Sequence, residues 1–244
     1  MERAVNRLLV VTAVIAAAFG ALAFLFRNSG HDSLCRDELT LPLCEYIDIE
    51  LLRLDVTVIP TDDKVITIKY LNDVPVDIVT DYNRITISES DRFVLSFFAG
   101  SEEDYGLYVC LPREIYRSVY ITTGSGAVKV GRVDSELLTI ATDSGDILWE
   151  DACCLGNISS ATGNARVVFD TVVPETTLTL RKGNAEIVIP AGSSTAVDFL
   201  TETGSCDTEL ISGEIYGSFL YSFNGGAHRI NASIGSGTLT ITDR

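Results

Sequence analysis

The hydrophobic pattern divides the chain into two regimes. From Leu8 to Phe26, 19 consecutive residues carry no charge, and only Thr12 and Gly20 depart from plainly apolar character. Arg27 and the polar run Asn28 to Ser33 close that stretch. As a helix it would span about 28 Å, close to the roughly 30 Å hydrocarbon core of a bilayer. After residue 45 the period drops to two. Ile47, Ile49 and Leu51 alternate, as do Val56 and Val58, then Val65, Ile66 and Ile68, Ile85 and Ile87, and Val109 and Leu111 before Pro112. Short β-branched runs broken by Asp, Asn, Gly and Pro predict strands and turns, with no helical stripe after Phe26.

From residue 119 the pattern repeats. Its core reads Thr-x-x-small-x-apolar-x-apolar. It occurs as Thr123-Gly124-Ser125-Gly126-Ala127-Val128-Lys129-Val130 and again from Thr142, Thr162, Lys182 and Thr203. The small position falls at 126, 145, 165, 185 and 206, and a last copy places Gly237 there, 31 residues later. A period near 20 residues predicts one coil of a β-solenoid, with equivalent residues stacked roughly 4.8 Å apart. The expected corner column is Gly126, Gly145, Ala165, Ala185, Cys206 and Gly237. Three interior columns follow: Val128, Ile147, Val167, Ile187, Thr208 and Leu239; Val130, Trp149, Phe169, Ile189, Leu210 and Ile241; and Val119, Leu138, Ile158, Leu178, Phe199 and Ile230. Thr123, Thr142, Thr162 and Thr203 are expected to stack as a structural ladder rather than as a ligand face. Phe219, Tyr221 and Phe223 are expected to plug the open end, which would otherwise expose strand edges.

The apolar N-terminal run admits two readings. One is a cleaved signal with Ala21 and Ala23 at the cleavage site; the other is a retained single-span anchor. Phe24, Leu25 and Phe26 prolong the apolar run where a signal turns small and polar, which favours the anchor. Arg3 and Arg7 place the N-terminus on the cytoplasmic side. The resulting division is an anchor over 1–30, a linker over 31–45 and a β-domain over 46–244, with an irregular opening stretch (46–118) and regular coils (119–244).

Charge and chemistry narrow the function classes. The chain carries 18 Lys and Arg against 34 Asp and Glu, a net charge of −16. Such a balance excludes a nucleic-acid phosphate partner and resists adhesion to anionic lipid. The six cysteines (35, 44, 110, 153, 154, 206) form no CxxC pair. Cys35 and Cys44 could close a small loop in an oxidising compartment, whereas Cys153 and Cys154 read as free thiols. Asn157-Ile158-Ser159 and Asn231-Ala232-Ser233 match the glycosylation acceptor pattern. Carboxylates cluster at Asp62-Asp63, at Glu102-Glu103-Asp104 and at Asp143 with Asp146. Asp143 and Asp146 are the pair to weigh for acid–base work, against the common use of Asp in turns. His31 and His228 are the only histidines and have no evident partner. Trp149 reads as core. No catalytic, cofactor-binding or metal-ligating residue is expected.

The Thr142–Ile147 pattern, the strand-then-proline Leu107–Pro112, and the β stretch from Tyr46 to Glu89 resemble the bacterial putative-adhesin family. That resemblance implies a β-helical domain, often behind a membrane anchor, and brings no catalytic residues. The expectation is an all-β, single-chain β-helix preceded by one transmembrane helix. It would be non-enzymatic and extracytoplasmic, binding a cell-envelope glycan or protein. The alternatives are a self-polymerising membrane scaffold and a polysaccharide-cleaving β-helix.

Overall fold

A computed structural model describes residues 36–71, 76–90, 106–171, 174–203, 205–208, 215–216 and 218–244. The span expected over Leu8–Phe26, together with His31, Cys35 and Glu102-Glu103-Asp104, lies outside the described residues. So do the side chains of Phe219, Tyr221 and Phe223. Among the described residues no helix is long and apolar enough to cross a membrane.

The described chain is all-β. The opening part holds β1 (Arg36–Leu41), β2 (Tyr46–Leu51), β3 (Asp55–Thr61), β4 (Ile66–Leu71), β5 (Val76–Asp81), β6 (Arg84–Glu89) and β7 (Gly106–Pro112). The middle holds β8 (Tyr116–Thr123), β9 (Val128–Val130), β10 (Ser135–Thr142), β11 (Ile147–Ala152), β12 (Leu155–Thr162), β13 (Ala165–Phe169), β14 (Thr176–Lys182) and β15 (Ala185–Ile189). The end holds β16 (Thr195–Thr201), β17 (Ser205–Thr208), β18 (Ile215–Tyr216), β19 (Phe219–Phe223), β20 (His228–Ser236) and β21 (Thr238–Asp243). β1 lies within the segment read as linker.

Two sheets, of eleven and ten strands, enclose the core. Each rung contributes one strand to each sheet. Along the axis the rungs run β6/β7, β2/β3, β8/β9, β10/β11, β12/β13, β14/β15, β20/β21 and β16/β17, all in parallel register. This is a flattened β-solenoid. The opening stretch is more regular than its sequence suggests, because β2/β3 and β6/β7 are rungs like those that follow.

The rungs do not stack in chain order at either end. β2/β3 sits inside β6/β7, and β20/β21 inserts between β14/β15 and β16/β17. The long step to the last repeat is therefore a return path, not an elongated turn. After β19 pairs antiparallel on the outer side of β16, the chain crosses Ser193 and Ser194 and enters β20 on the inner side. Asn224, Gly225 and Gly226 make this crossing at φ of 49°, 97° and 64°. Three consecutive left-handed residues start the reversal that carries the chain past β16, about 10 Å or two strand spacings, and glycine supplies two of them without a Cβ penalty. Asn224 Nδ2 donates to the Ser193 carbonyl, and the Ala227 N–H donates to Ser194 Oγ.

The corner column also departs from expectation. A Cβ on Gly145 would collide with the Gly126 carbonyl oxygen, one on Gly163 with Gly145, one on Gly183 with Gly163, and one on Gly237 with Gly183. The true column is thus Gly126, Gly145, Gly163, Gly183 and Gly237. Ala165, Ala185 and Cys206 instead face inward, in the column of Val128, Ile147 and Leu239. The reason is corner length. Four residues separate β10 from β11, but only two separate β12 from β13 and β14 from β15. The expected interior columns slip by two in the third, fourth and fifth coils, and the last coil returns to the expected register: Trp149 stacks on Val167 rather than Phe169, and Leu138 on Gly156 rather than Ile158, whereas Leu239 and Ile230 lie in the columns of Val128 and Val119. A slip of two preserves which side chains point inward, so the members of the columns among the described residues stay buried.

The threonine ladder is real in part. Thr123 pairs with Thr142, and Thr142 with Ser160. Thr162 stacks on Lys182, and Thr203 lies exposed beside Gly235. Both buried threonines close their corners: Thr123 Oγ1 accepts the Gly126 N–H at 3.0 Å, and Thr142 Oγ1 accepts the Gly145 N–H at 2.6 Å. Trp149 is fully buried, tilted against Phe169 at 6.5 Å between ring centroids. The facing sheet leaves room for it at Gly156, where a Cβ would lie 2.5 Å from Trp149 Cζ3.

Candidate binding groove

The eleven-stranded sheet presents two adjacent outward columns near the corner. The first column holds Asp55, Ala127, Asp146, Asn164, Asn184 and Thr238, each one residue before a strand-paired inward position. The side chains of Asp55, Asp146, Asn164 and Asn184 lie along the solenoid axis, because each caps the next rung. Asp55 Oδ1 accepts the Ala127 N–H at 2.7 Å, and Asp146 Oδ1 accepts the Asn164 N–H at 2.7 Å. Asn164 Oδ1 accepts the Asn184 N–H at 3.1 Å, and Asn184 Oδ1 accepts the Thr238 N–H at 3.0 Å. The two carboxylate bonds are the shorter ones, as expected when the acceptor is ionised. Asn164 Nδ2 also donates to Asp146 Oδ1 at 3.2 Å.

The second column stands up from the sheet: Thr57, Lys129, Leu148, Arg166, Glu186 and Thr240. Lys129 pairs with Glu150 at 3.5 Å, and Arg166 pairs with Glu186 one rung away. A reclining column beside a standing one leaves a shallow groove of about 750 Å³ between Asp55 and Thr240. It runs along the axis across rungs separated by roughly 4.8 Å.

The other candidate residues are not brought together. Asp146 is held by the rung beyond it, and Asp143 lies in the exposed corner, where its backbone N–H donates to the Gly124 carbonyl at 3.1 Å. Asp63 Oδ2 accepts the Thr61 hydroxyl at 3.0 Å, and Asp62 lies 3.5 Å from Arg113, both in the β3–β4 corner. His228 opens β20, its N–H donating to the Ser194 carbonyl. Among the described residues no group of three or more His, Cys, Asp or Glu side chains could hold a metal ion. Cys153 donates to the Val133 carbonyl at 3.3 Å; burial, then the neighbouring Cys154 and Asp134, push its pKa up to about 12. Burial also raises the Cys154 thiol. Asn157 and Asn231 both face outward on the ten-stranded sheet, one on either side of Thr177.

This geometry can hold a ligand along the axis. The sequence reading missed it because the repeat was aligned on threonine. The dipeptides Gly145-Asp146, Gly163-Asn164 and Gly183-Asn184 carry the correct register and mark the capping column.

The family model described as Toastrack DUF4097 matches residues 44–155 and 116–242. The chain belongs to the Toastrack family. The resemblance drawn from Thr142–Ile147 and its companion stretches is thereby borne out. The two Toastrack matches overlap over coils that are themselves repeats. Comparison with curated proteins finds no match. Among solved structures, the chain is similar to a putative cell adhesion protein from Clostridium sporogenes, at 12% identity, 86% of this chain, 100% of that chain and a TM-score of 0.48. It is similar also to a putative adhesin from Bacteroides fragilis, at 10% identity, 87% and 98% coverage and a TM-score of 0.43. A putative lipid binding protein from Parabacteroides distasonis shares 11% identity over 88% and 98% of the two chains, with a TM-score of 0.35.

Proposed function

We propose that this Toastrack protein is a non-enzymatic binding module at the bacterial cell envelope, retained at the membrane by Leu8–Phe26 with its β-domain on the extracytoplasmic side. The observation that carries the reading is the groove spanning successive rungs of the eleven-stranded sheet. Asp146, one of the two carboxylates weighed for acid–base work, is occupied with the Asn164 N–H, which supports binding over bond cleavage. Antiparallel strands close both ends, β1, β4 and β5 at one and β18 and β19 at the other. That closure supports a single binder over a self-stacking polymer, whose rungs would add in parallel.

Three measurements test this reading. Full-length protein in detergent should be retained by isolated cell walls and release no sugar from them. Its intact mass after membrane extraction should include residues 1–26. Protease added to intact cells should remove the β-domain. Release of the chain into the medium, protection from protease, or turnover of wall polymer abolished by Asp143→Asn and Asp146→Asn would refute it.

A further inference from the structure

We infer that the groove of the eleven-stranded sheet takes a linear, uncharged polysaccharide lying parallel to the solenoid axis; this rests on the binding reading above and names its ligand class. The shape of the groove favours a chain polymer. The groove extends from the rung of Asp55 to that of Thr240, five rung intervals, or about 24 Å. A compact small molecule would leave most of it empty, whereas a chain polymer fills it.

The floor of the groove offers side chains and no free main chain. The groove lies on the face of a sheet whose central strands already exchange their backbone hydrogen bonds with both neighbours. An extended peptide gains most when it adds to an open edge through its main chain, and this face offers no main-chain partners. Recognition must therefore come from side chains. Asp146, Asn164 and Asn184 each use an oxygen on the next rung, and Asn164 also gives one amide N–H to Asp146, which leaves Asp146 Oδ2, the second N–H of Asn164 and the Asn184 amide nitrogen on the exposed face. A carboxylate and carboxamides repeating along an axis suit a polyol, whose hydroxyls both donate and accept.

Charge favours a neutral ligand. The chain as a whole is −16. Within the groove Asp55, Asp146 and Glu186 are nearly balanced by Lys129 and Arg166. Both cations are already paired with carboxylates, Lys129 with Glu150 and Arg166 with Glu186. An anionic polymer would meet no free cation there and would be repelled by the rest of the surface. Leu148 stands between Lys129 and Arg166 and supplies an apolar contact of the kind a sugar ring face requires.

The test is calorimetric titration of the full chain in detergent micelles with hexasaccharides of β-1,4-linked glucose and of β-1,4-linked N-acetylglucosamine, alongside polygalacturonate as the anionic polymer. At least one neutral hexasaccharide should bind. Leu148→Arg should weaken it about tenfold or more, as expected for a central contact, and Arg166→Ala should weaken it in the same direction. Thr177→Arg, the matched change on the opposite sheet, should leave binding unchanged. Melting temperatures confirm that each variant is folded, and the exposed Arg166→Ala serves should Leu148→Arg fail to fold. Binding of polygalacturonate alone, or loss of binding in Thr177→Arg with retention in Leu148→Arg and Arg166→Ala, would overturn the inference. Retention by isolated cell walls without binding of either hexasaccharide would overturn it while leaving the envelope-binding function standing. Failure to be retained by walls would remove both.

Discussion

The capping column is interrupted at one rung, and filling the gap should stabilise the protein. Asp55, Asp146, Asn164 and Asn184 each present an oxygen to the backbone N–H one rung on, at 2.7–3.1 Å. Ala127 occupies the equivalent place, and its methyl offers nothing to the N–H of Asp146. Ala127→Asn supplies that acceptor, and its Nδ2 can reach Asp55 as Asn164 Nδ2 reaches Asp146. The site is exposed, so no repacking is needed. A net hydrogen bond is worth about 0.5–1.5 kcal/mol, from which the ordering of a short polar side chain subtracts part. The expected gain is about 0.5–1 kcal/mol, or about 1–4 °C in Tm for a domain of this size.

Two companion variants make the reasoning refutable. Asn164→Ala removes the acceptor of the Asn184 N–H and the donor to Asp146. It should cost about 1–2 kcal/mol. Ala127→Asp supplies the acceptor but sets a third carboxylate between Asp55 and Asp146. Its gain should be smaller than that of Ala127→Asn at low salt and approach it as salt screens the repulsion. Thermal unfolding followed by circular dichroism reads all three. An unchanged or lower Tm in Ala127→Asn, with no loss in Asn164→Ala, would show that the column decorates the solenoid without stabilising it.

Further expectations concern the core, the first corner and the thiols. Gly156→Ala puts a Cβ against Trp149 and should cost about 1–3 kcal/mol with a red-shifted tryptophan emission; unaltered emission and Tm would mean the ring moves freely. Glu89 Oε2 accepts the N–H groups of Leu52 and Arg53 at 2.8 Å each, standing in for the carbonyls that a preceding rung supplies elsewhere. Glu89→Ala should cost about 1–3 kcal/mol and Glu89→Gln less, measured by urea unfolding, with equal losses counting against the capping role. The folded pKa of Cys153 is raised, so the folded state holds its proton more tightly than the unfolded chain does. That contribution is fully present below pH 9.0 and is lost as pH rises toward about 12. Cys153→Ser should therefore show a shallower fall in Tm between pH 8 and pH 11 than the unaltered protein, and a parallel fall would assign the alkaline loss to other groups.

How far the sequence reaches is visible rung by rung. Parity was legible, because inward and outward positions alternate with period two and a two-residue slip cannot disturb that. Val167 and Phe169 both point inward, so either could be aligned with Trp149 without violating the pattern. Register was carried instead by the Gly-Asx dipeptides, where close backbone approach and side-chain capping coincide at one corner. Rung order was not legible. β16/β17 and β20/β21 have the same pattern of small and apolar residues, and either could stack on β14/β15 by local chemistry. The left-handed run Asn224–Gly226 decides between them, since it lets the chain pass the start of β16 and enter from within. The groove was hidden for the same reason as the register: Asp146 was weighed as an isolated carboxylate, whereas its role follows from Asn164 one rung later.

The placement of the last rung bears on what the fold can do. In a solenoid built in chain order, the terminal rung is the newest and its outer edge invites another. Here the chain closes its outermost rung with β19 before the final strands, β20 and β21, are laid inside it. The C-terminal strands therefore gain partners on both sides, while the outer edge belongs to an antiparallel strand that continues no parallel stack. The opening end follows the same plan, with β5 antiparallel outside β6, and β2 protected between β6 and β8. Both ends thus oppose endless stacking while the middle rungs keep a strict register. In the proposed function recognition falls to the outward columns, and the Asp–Asn column with its standing neighbours is held in line by its bonds to the backbone of the next rung.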